Sequence, residues 1–159
     1  MTNPADLPYR PCVGIMLLNA QGQVFVGQRL DSTLEAWQMP QGGIDPGEAP
    51  LDTAIRELGE ETGIVPEHVE LIAEAPGDFH YEIPPEMIGK VWKGRYRGQA
   101  QRWFLFRFTG SDNDIRIETA HPEFRAWRWI DPVDLPSVIV PFKRALYRDV
   151  LAAFSAHLD

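Results

Sequence analysis

A run of carboxylates bracketed by glycines, from Gly42 to Ile64, constrains this chain more than any other feature. Its fixed positions are Gly42, Glu48, Arg56, Glu57, Leu58, Glu60, Glu61, Gly63 and Ile64, and they spell G-x(5)-E-x(7)-R-E-U-x-E-E-x-G-U, where U is a bulky aliphatic residue. Four glutamates in the 14 residues from Glu48 to Glu61 could form a solvated charge run. The ordering argues against that, because glycines flank the run and an arginine sits inside it. Pro46-Gly47 reads as a turn, and Pro50 suits the first turn of a helix, where its missing N–H is no loss. A helix is therefore predicted from about Ala49 to Thr62, built of helix-favouring residues, with Gly63 at the position of a left-handed cap.

Helical spacing puts Leu51, Ala54, Ile55 and Leu58 on one face, which is the expected core side. Glu57, Glu60 and Glu61 are spaced i, i+3, i+4 and share a second face, roughly 115° further round. Carboxylates stacked in this way repel one another. A divalent cation is the simplest compensation, and hard oxygen donors suit Mg²⁺ or Mn²⁺ better than zinc. An exposed acidic face is the plain alternative. Arg56 reads either as a surface partner of Glu60 one turn away or as a group that orients a metal-binding carboxylate.

This long, strictly spaced motif resembles that of the Nudix hydrolases. Further runs carry the resemblance to a branch of that family: Trp37-Gln38-Met39-Pro40-Gln41-Gly42-Gly43-Ile44-Asp45, Gln101-Arg102-Trp103-Phe104-Leu105, and Pro122-Glu123-Phe124 through Trp127-Arg128-Trp129. The branch is the bacterial RNA pyrophosphohydrolases, which overlap with the dinucleoside polyphosphate (Ap4A-type) hydrolases. The resemblance covers nearly all of the chain, from about Tyr9 to Phe154. It implies an enzyme in which water attacks phosphorus with the help of several Mg²⁺ ions, for which Mn²⁺ can substitute. By matching positions, Glu57, Glu60 and Glu61 would be metal ligands, together with the Gly42 carbonyl. Glu123 would be a further ligand or a general base, although by itself it reads as an ordinary loop residue. Arg56 would belong to the same catalytic group. The chemistry suits these residue types, since phosphoryl transfer is mostly positioning and charge neutralisation and bound metal lowers the pKa of water.

The resemblance also implies substrate contacts. Arg10, Arg29, Phe142 and Lys143 match positions that hold the 5′ end of RNA, where an arginine and a phenylalanine sandwich a base and a lysine reads its edge. Gln41 and Tyr81 join this set, and a tyrosine at about the place of Tyr81 marks the dinucleoside polyphosphate hydrolases. Guanidinium and aromatic planes both stack on bases. Read without the resemblance, Tyr81 is a strand residue packed on a sheet, Phe142 is core at a helix start and Lys143 is a surface residue with a buried stem. Pro141 departs from the pattern, since the bacterial RNA enzymes carry a serine there, and nucleotide preference stays open. The expected substrate is 5′-triphosphorylated RNA, which loses pyrophosphate and is thereby marked for decay. Dinucleoside polyphosphates such as Ap4A or Ap5A, cleaved to release ATP, are the close alternative. A non-catalytic nucleotide sensor is the remote one, disfavoured because the motif is intact.

Composition sets limits on these readings. The 159 residues suffice for one domain with a real core, spanning 1–159, with residues 1–8 as a loose tail. No apolar stretch reaches membrane-spanning length, and no signal-peptide pattern opens the chain. One cysteine, Cys12, excludes an internal disulfide. It reads as a core residue, and the expected compartment is a reducing cytoplasm. The histidines His68, His80, His121 and His157 lack zinc spacing. A net charge of −8 argues against a general nucleic-acid-binding surface but not against RNA held at its 5′ end. Lys90, Lys93, Arg95, Arg97 and Arg102, interleaved with Trp92, Tyr96 and Trp103, read either as a solvated loop or as a rim facing polyphosphate or RNA.

Strands are predicted at Cys12–Leu18, Val24–Gln28, Trp37–Pro40, Val69–Ala75, Phe79–Ile83, Arg102–Phe108 and Ala126–Ile130. Loops are expected from Leu30 to Ala36 and from Pro84 to Gly98, and a Pro-rich connection from Asp131 to Pro136. A second helix is expected from Pro141 to His157, with Phe142, Ala145, Leu146, Val150, Ala153 and Phe154 on its inner face. Mixed strands with two separated helices make an α+β fold. The family resemblance implies an α/β/α sandwich around a mixed sheet.

Overall fold

The computed structural model describes residues 6–32 and 35–158. Seven strands form one sheet: β1 (Tyr9–Leu18), β2 (Val24–Arg29), β3 (Gln41–Gly43), β4 (Val69–Glu74), β5 (Phe79–Glu82), β6 (Gly98–Phe108) and β7 (Phe124–Ile130). The main order is β4-β6-β1-β2-β7, with β3 paired to β1 and β5 paired to β6. Only β1 and β6 run parallel, so the sheet is mixed. The helices are α1 (Pro50–Thr62), the short α2 (Leu135–Val138) and α3 (Arg144–Phe154).

The near-continuous apolar run of β1 is explained by burial on both faces. Val13, Ile15 and Leu17 pack with Ala54 and Leu58 of α1, along with Phe25, Phe104 and Phe106. Met16 and Leu18 point the other way, into a second core with Trp103, Leu105 and, from α3, Leu146, Tyr147, Val150 and Phe154. A helix thus lies on each side of the sheet, as an α/β/α sandwich requires. Fully burying one such side chain is worth about 1.5–3 kcal/mol. Trp127 stacks on Phe25, with ring centroids 5.5 Å apart.

Several predicted boundaries shift. Trp37–Pro40 is not a strand. Gln38 makes one bridge to Gly27, and the pairing segment begins at Gln41. The expected 84–98 loop gives up its end to β6, which starts at Gly98 because Gly98 to Gln101 find partners on β5 and β1. The Pro-rich connection continues into α2. The second helix is shorter than Pro141–His157: 3-10 turns at Pro141–Lys143 and Ser155–His157 flank α3. Ala145, Ala153 and Phe142 are exposed, and Tyr147 takes an inner position that the spacing had not assigned. The expected tail lies outside the described residues as far as residue 5, while Pro8 accepts a hydrogen bond from the Arg97 N–H. Residues 33 and 34 of the expected 30–36 loop are also outside the described residues.

Candidate active site

Helix α1 begins and ends where its sequence says. Ala49 is extended, Pro50 opens the first turn, and Gly63 closes the helix at φ 71° with its N–H on the Gly59 carbonyl. The left-handed cap suits glycine, which pays no Cβ penalty there. The 109–123 segment then ties down the end of α1. The Arg116 N–H donates to the Thr62 carbonyl at 2.7 Å, and the Thr119 hydroxyl donates to the Glu60 carbonyl at 2.5 Å.

The three helical carboxylates meet different surroundings. Glu61 points inward, is 3% exposed, and neither of its oxygens has a hydrogen-bond partner. Burial holds its pKa well above the ordinary carboxylate value, and Glu57 and Glu123 add repulsion. The Gln41 backbone N–H opposes this weakly, without reaching hydrogen-bond geometry. Glu57 enters the cleft beneath β3. Its pKa rises to about 6, chiefly through burial, with Arg56 pulling it down and Glu60 pushing it up. The Glu57 carboxyl lies where a Cβ on residue 42 would stand, so only glycine at Gly42 lets it approach the β3 backbone. Glu60 is more open and is held through Arg56.

Arg56 does more than pair with the next turn. It donates to Glu48 at 2.8 and 2.9 Å, to the Gly43 carbonyl at 3.1 Å, to Glu57 at 3.0 Å and to Glu60 at 3.2 Å. Glu48 is held down to about 2 by that guanidinium and also accepts from the Thr53 hydroxyl at 2.7 Å. Arg56 therefore clamps the glycine loop to the helix and sets two carboxylates at once. Glu48, given no role in the sequence reading, is its anchor.

A cleft of about 370 Å³ opens beside these groups. Its walls bring together Arg10, Arg29, Gln41, Gly42, Glu57, Tyr81, Glu123, Phe142 and Lys143, which the sequence had singled out from seven separate stretches. Glu60, Glu61 and Arg56 lie outside that lining. Glu123 reaches the cleft because the 109–123 segment crosses back to β7, and its carboxylate is 4.0 Å from Arg29. Arg29 itself is forked onto Asp31 at 2.7 and 2.9 Å.

At the other end, Val140 is extended and Pro141 starts a tight turn that sets out the next two side chains. Phe142 is 40% exposed and Lys143 only 7%, which reverses what each would be alone. The Lys143 Nζ lies 4.9 Å from the Tyr81 ring centroid and 5.9 Å from that of Phe142. Burial, reinforced by the charge of Arg29, lowers its pKa to about 8. Trp92 and Gln99 also line the cleft. Trp92 has a backbone φ of 51°, followed by Lys93 at 56°, a conformation uncommon outside glycine.

The expected basic rim divides. Arg97 pairs with Glu82, Arg102 pairs with Glu74, and Trp103 is core, so Lys90, Lys93 and Arg95 remain as the exposed cations of that run.

As the side chains stand, no three His, Cys, Asp or Glu residues among those described gather into a metal cage. Like charges keep apart, and Arg56 occupies the space between Glu57 and Glu60. The donor set still fits a hard divalent cation. Glu61 offers two buried oxygens with no other partner, and Glu57 lies against the Gly42 backbone.

A NUDIX domain model matches residues 8–150. The chain belongs to the Nudix family. Among curated Nudix relatives, the RNA pyrophosphohydrolase of Sphingopyxis alaskensis is 60% identical over 154 residues, which is 97% of this chain and 98% of that protein. The RNA pyrophosphohydrolase of Roseobacter denitrificans is 59% identical over 154 residues, 97% of this chain and 96% of that one. Solved structures share the Nudix fold. The E. coli dihydroneopterin triphosphate pyrophosphohydrolase superposes with a TM-score of 0.68 at 21% identity, covering 92% of this chain and 99% of that chain. The C. elegans Ap4A hydrolase gives 0.66 at 22%, covering 95% and 99%. Nudix hydrolases in general need divalent metal ions. No helix among the described residues is long and apolar enough to cross a membrane.

Proposed function

We propose that this Nudix hydrolase removes pyrophosphate from the 5′-triphosphate end of RNA. One observation carries the reading: a single cleft is lined both by carboxylates, Glu57 and Glu123, and by an aromatic-cation platform, Phe142 with Lys143 and Tyr81. A triphosphate with a base attached spans those two chemistries. The near-full-length relatives that bear the name RNA pyrophosphohydrolase support the same substrate.

Glu57, Glu60, Glu61 and the Gly42 carbonyl would hold Mg²⁺ or Mn²⁺, more than one ion, with Glu123 as a further ligand or the proton acceptor. When bound, the ions lower the pKa of water and neutralise the phosphates. Arg56 keeps Glu57 and Glu60 aimed. A water oxygen bonds to phosphorus, the bond to the leaving phosphate oxygen breaks, and the proton passes to a carboxylate oxygen of the cleft. Phe142 and Arg29 stack on a base, and Lys143 reaches its edge.

The test pairs γ-labelled 5′-triphosphate RNA with Ap4A, each with Mg²⁺. The expected result is release of pyrophosphate, or of two phosphates, with a much larger kcat/KM on RNA. Base stacking on an aromatic residue is worth ~1–3 kcal/mol. Phe142→Ala should therefore cost about tenfold or more in kcat/KM on RNA and less on Ap4A. Equal losses on both, or preference for Ap4A giving ATP and AMP, would make this a dinucleotide-clearing enzyme instead.

A further inference from the structure

Behind the cleft floor lies a buried polar chain that the catalytic reading does not use. Gln101 on β6 is 0% exposed. Its Oε1 accepts from the Trp103 indole N–H at 2.9 Å, and its Nε2 donates to Oε1 of Gln41 and to Oε1 of Gln99, each at 2.7 Å. The indole sits over Gly14, where any Cβ would collide with the ring, so β1 is shaped to admit it.

The direction of every bond in this chain follows from one group. An indole nitrogen can only donate. Gln101 must therefore turn its carbonyl to Trp103 and its NH₂ to the two neighbours. Gln41 and Gln99 must in turn present their carbonyls inward, which leaves both of their NH₂ groups for the cleft that they line. No acceptor among the described residues takes those amide protons. Each of the three amides could flip alone without a change of shape, but together they are locked in one sense. Gln41 also adjoins Gly42, against which the Glu57 carboxylate lies.

We infer that Gln101, pinned by Trp103, is a positioning residue that makes this part of the cleft floor a donor-only surface for polyphosphate oxygens. Neutral donors suit that position, because they attract phosphate oxygens beside carboxylates without forming an ion pair with them. The inference rests on the phosphate-anhydride substrate proposed above.

Replacing Gln101 by Glu inverts the polarity. The carboxylate still accepts from Trp103 but donates nothing, so Gln41 and Gln99 turn their N–H groups inward and their carbonyls to the substrate. A neutral hydrogen bond contributes about 0.5–1.5 kcal/mol, so losing two should raise KM by roughly five- to 150-fold. The interaction is shared by bound substrate and transition state, so kcat should move less than about threefold. Gln101→Met frees the two amides without inverting them and should raise KM only a few-fold. Gln101→Met also serves if the buried carboxylate of the Glu variant prevents folding, as a thermal melt will tell. Trp103→Phe, which removes the pin, should match the Met variant.

Steady-state kinetics on γ-labelled triphosphate RNA with Mg²⁺ decides the matter. KM unchanged in the folded variants, a loss confined to kcat, or equal effects of Glu and Met in folded proteins would overturn the inference. Wild-type activity on RNA tests the substrate reading separately. Should the wild type act only on Ap4A, the same order of KM values is read on Ap4A.

Discussion

Glu57→Gln should make the metal-free protein more stable while weakening its response to metal. The Glu57 carboxyl titrates at about 6 in the fold against 4.5 in the free chain, mainly because it is buried. Each pKa unit corresponds to ~1.4 kcal/mol, so the ionised side chain costs the folded state about 2 kcal/mol at neutral pH. Between those two pKa values the folded chain keeps a proton that the unfolded chain has lost, so stability falls as pH rises through that window and stays reduced above it. Gln keeps the shape and an acceptor for Arg56 but never ionises. In EDTA near pH 7.5 the variant should therefore gain about 2 kcal/mol, or ~4–8 °C in Tm for a chain of this size. At about pH 5, where most of the native carboxyl is protonated, the gain should shrink to roughly 0.8 kcal/mol. Saturating Mg²⁺ should reverse the order, because the wild-type carboxylate then gains a partner that the amide lacks. Denaturant titrations at both pH values, with and without metal, read all of this. A variant no more stable than wild type in EDTA at pH 7.5, or a gain that does not depend on pH, would refute the reasoning.

Gly42→Ala puts a methyl group where the Glu57 carboxyl now lies. The flexible carboxylate should yield rather than the fold, giving a Tm within a few degrees of wild type and a kcat loss on the order of 10²-fold, as misplacement by about 1 Å commonly causes. A normal kcat would show that Glu57 need not approach the β3 backbone. Lys143 carries its charge below about pH 8 and loses it above, because burial favours the neutral amine. KM for the triphosphate substrate should accordingly rise about tenfold between pH 7 and pH 9, and Lys143→Met should be weak throughout, with that step absent from its profile. A Met variant that keeps the wild-type pH dependence would assign the titration to another group.

What the sequence determined by itself is local. The limits of α1, the left-handed cap at Gly63 and the side-by-side carboxylates follow from helical period and from the properties of proline and glycine, which act within a turn or two. The apolar run Cys12–Leu18 was likewise legible as a strand. The Nudix motif spans only Gly42 to Ile64; within it helical spacing puts Glu57, Glu60 and Glu61 on one face, and the family resemblance adds the Gly42 carbonyl as a candidate ligand.

The tertiary structure decided which carboxylate is buried without a partner, which is shaped to a glycine and which is left open, since burial depends on what the sheet and the 109–123 segment put over the helix. Spacing made Glu57, Glu60 and Glu61 equivalent, whereas packing did not. Phe142 and Lys143 exchanged the exposures that each would have alone, because the turn at Pro141 faces the cleft rather than the core. The sequence reading leaves Gln99-Ala100-Gln101 in no element, between the 84–98 loop and the strand expected from Arg102, because its two glutamines interrupt an apolar strand pattern. They are buried because β6 lies between β1 and β5; Trp103, two residues further along the same strand, and Gln41, from β3, satisfy Gln101. Gln99, Gln101 and Trp103 share one face of β6 at the two-residue period of a strand, but the partner that Gln41 brings from β3 leaves no trace along the chain, so only the folded molecule could reveal that pairing.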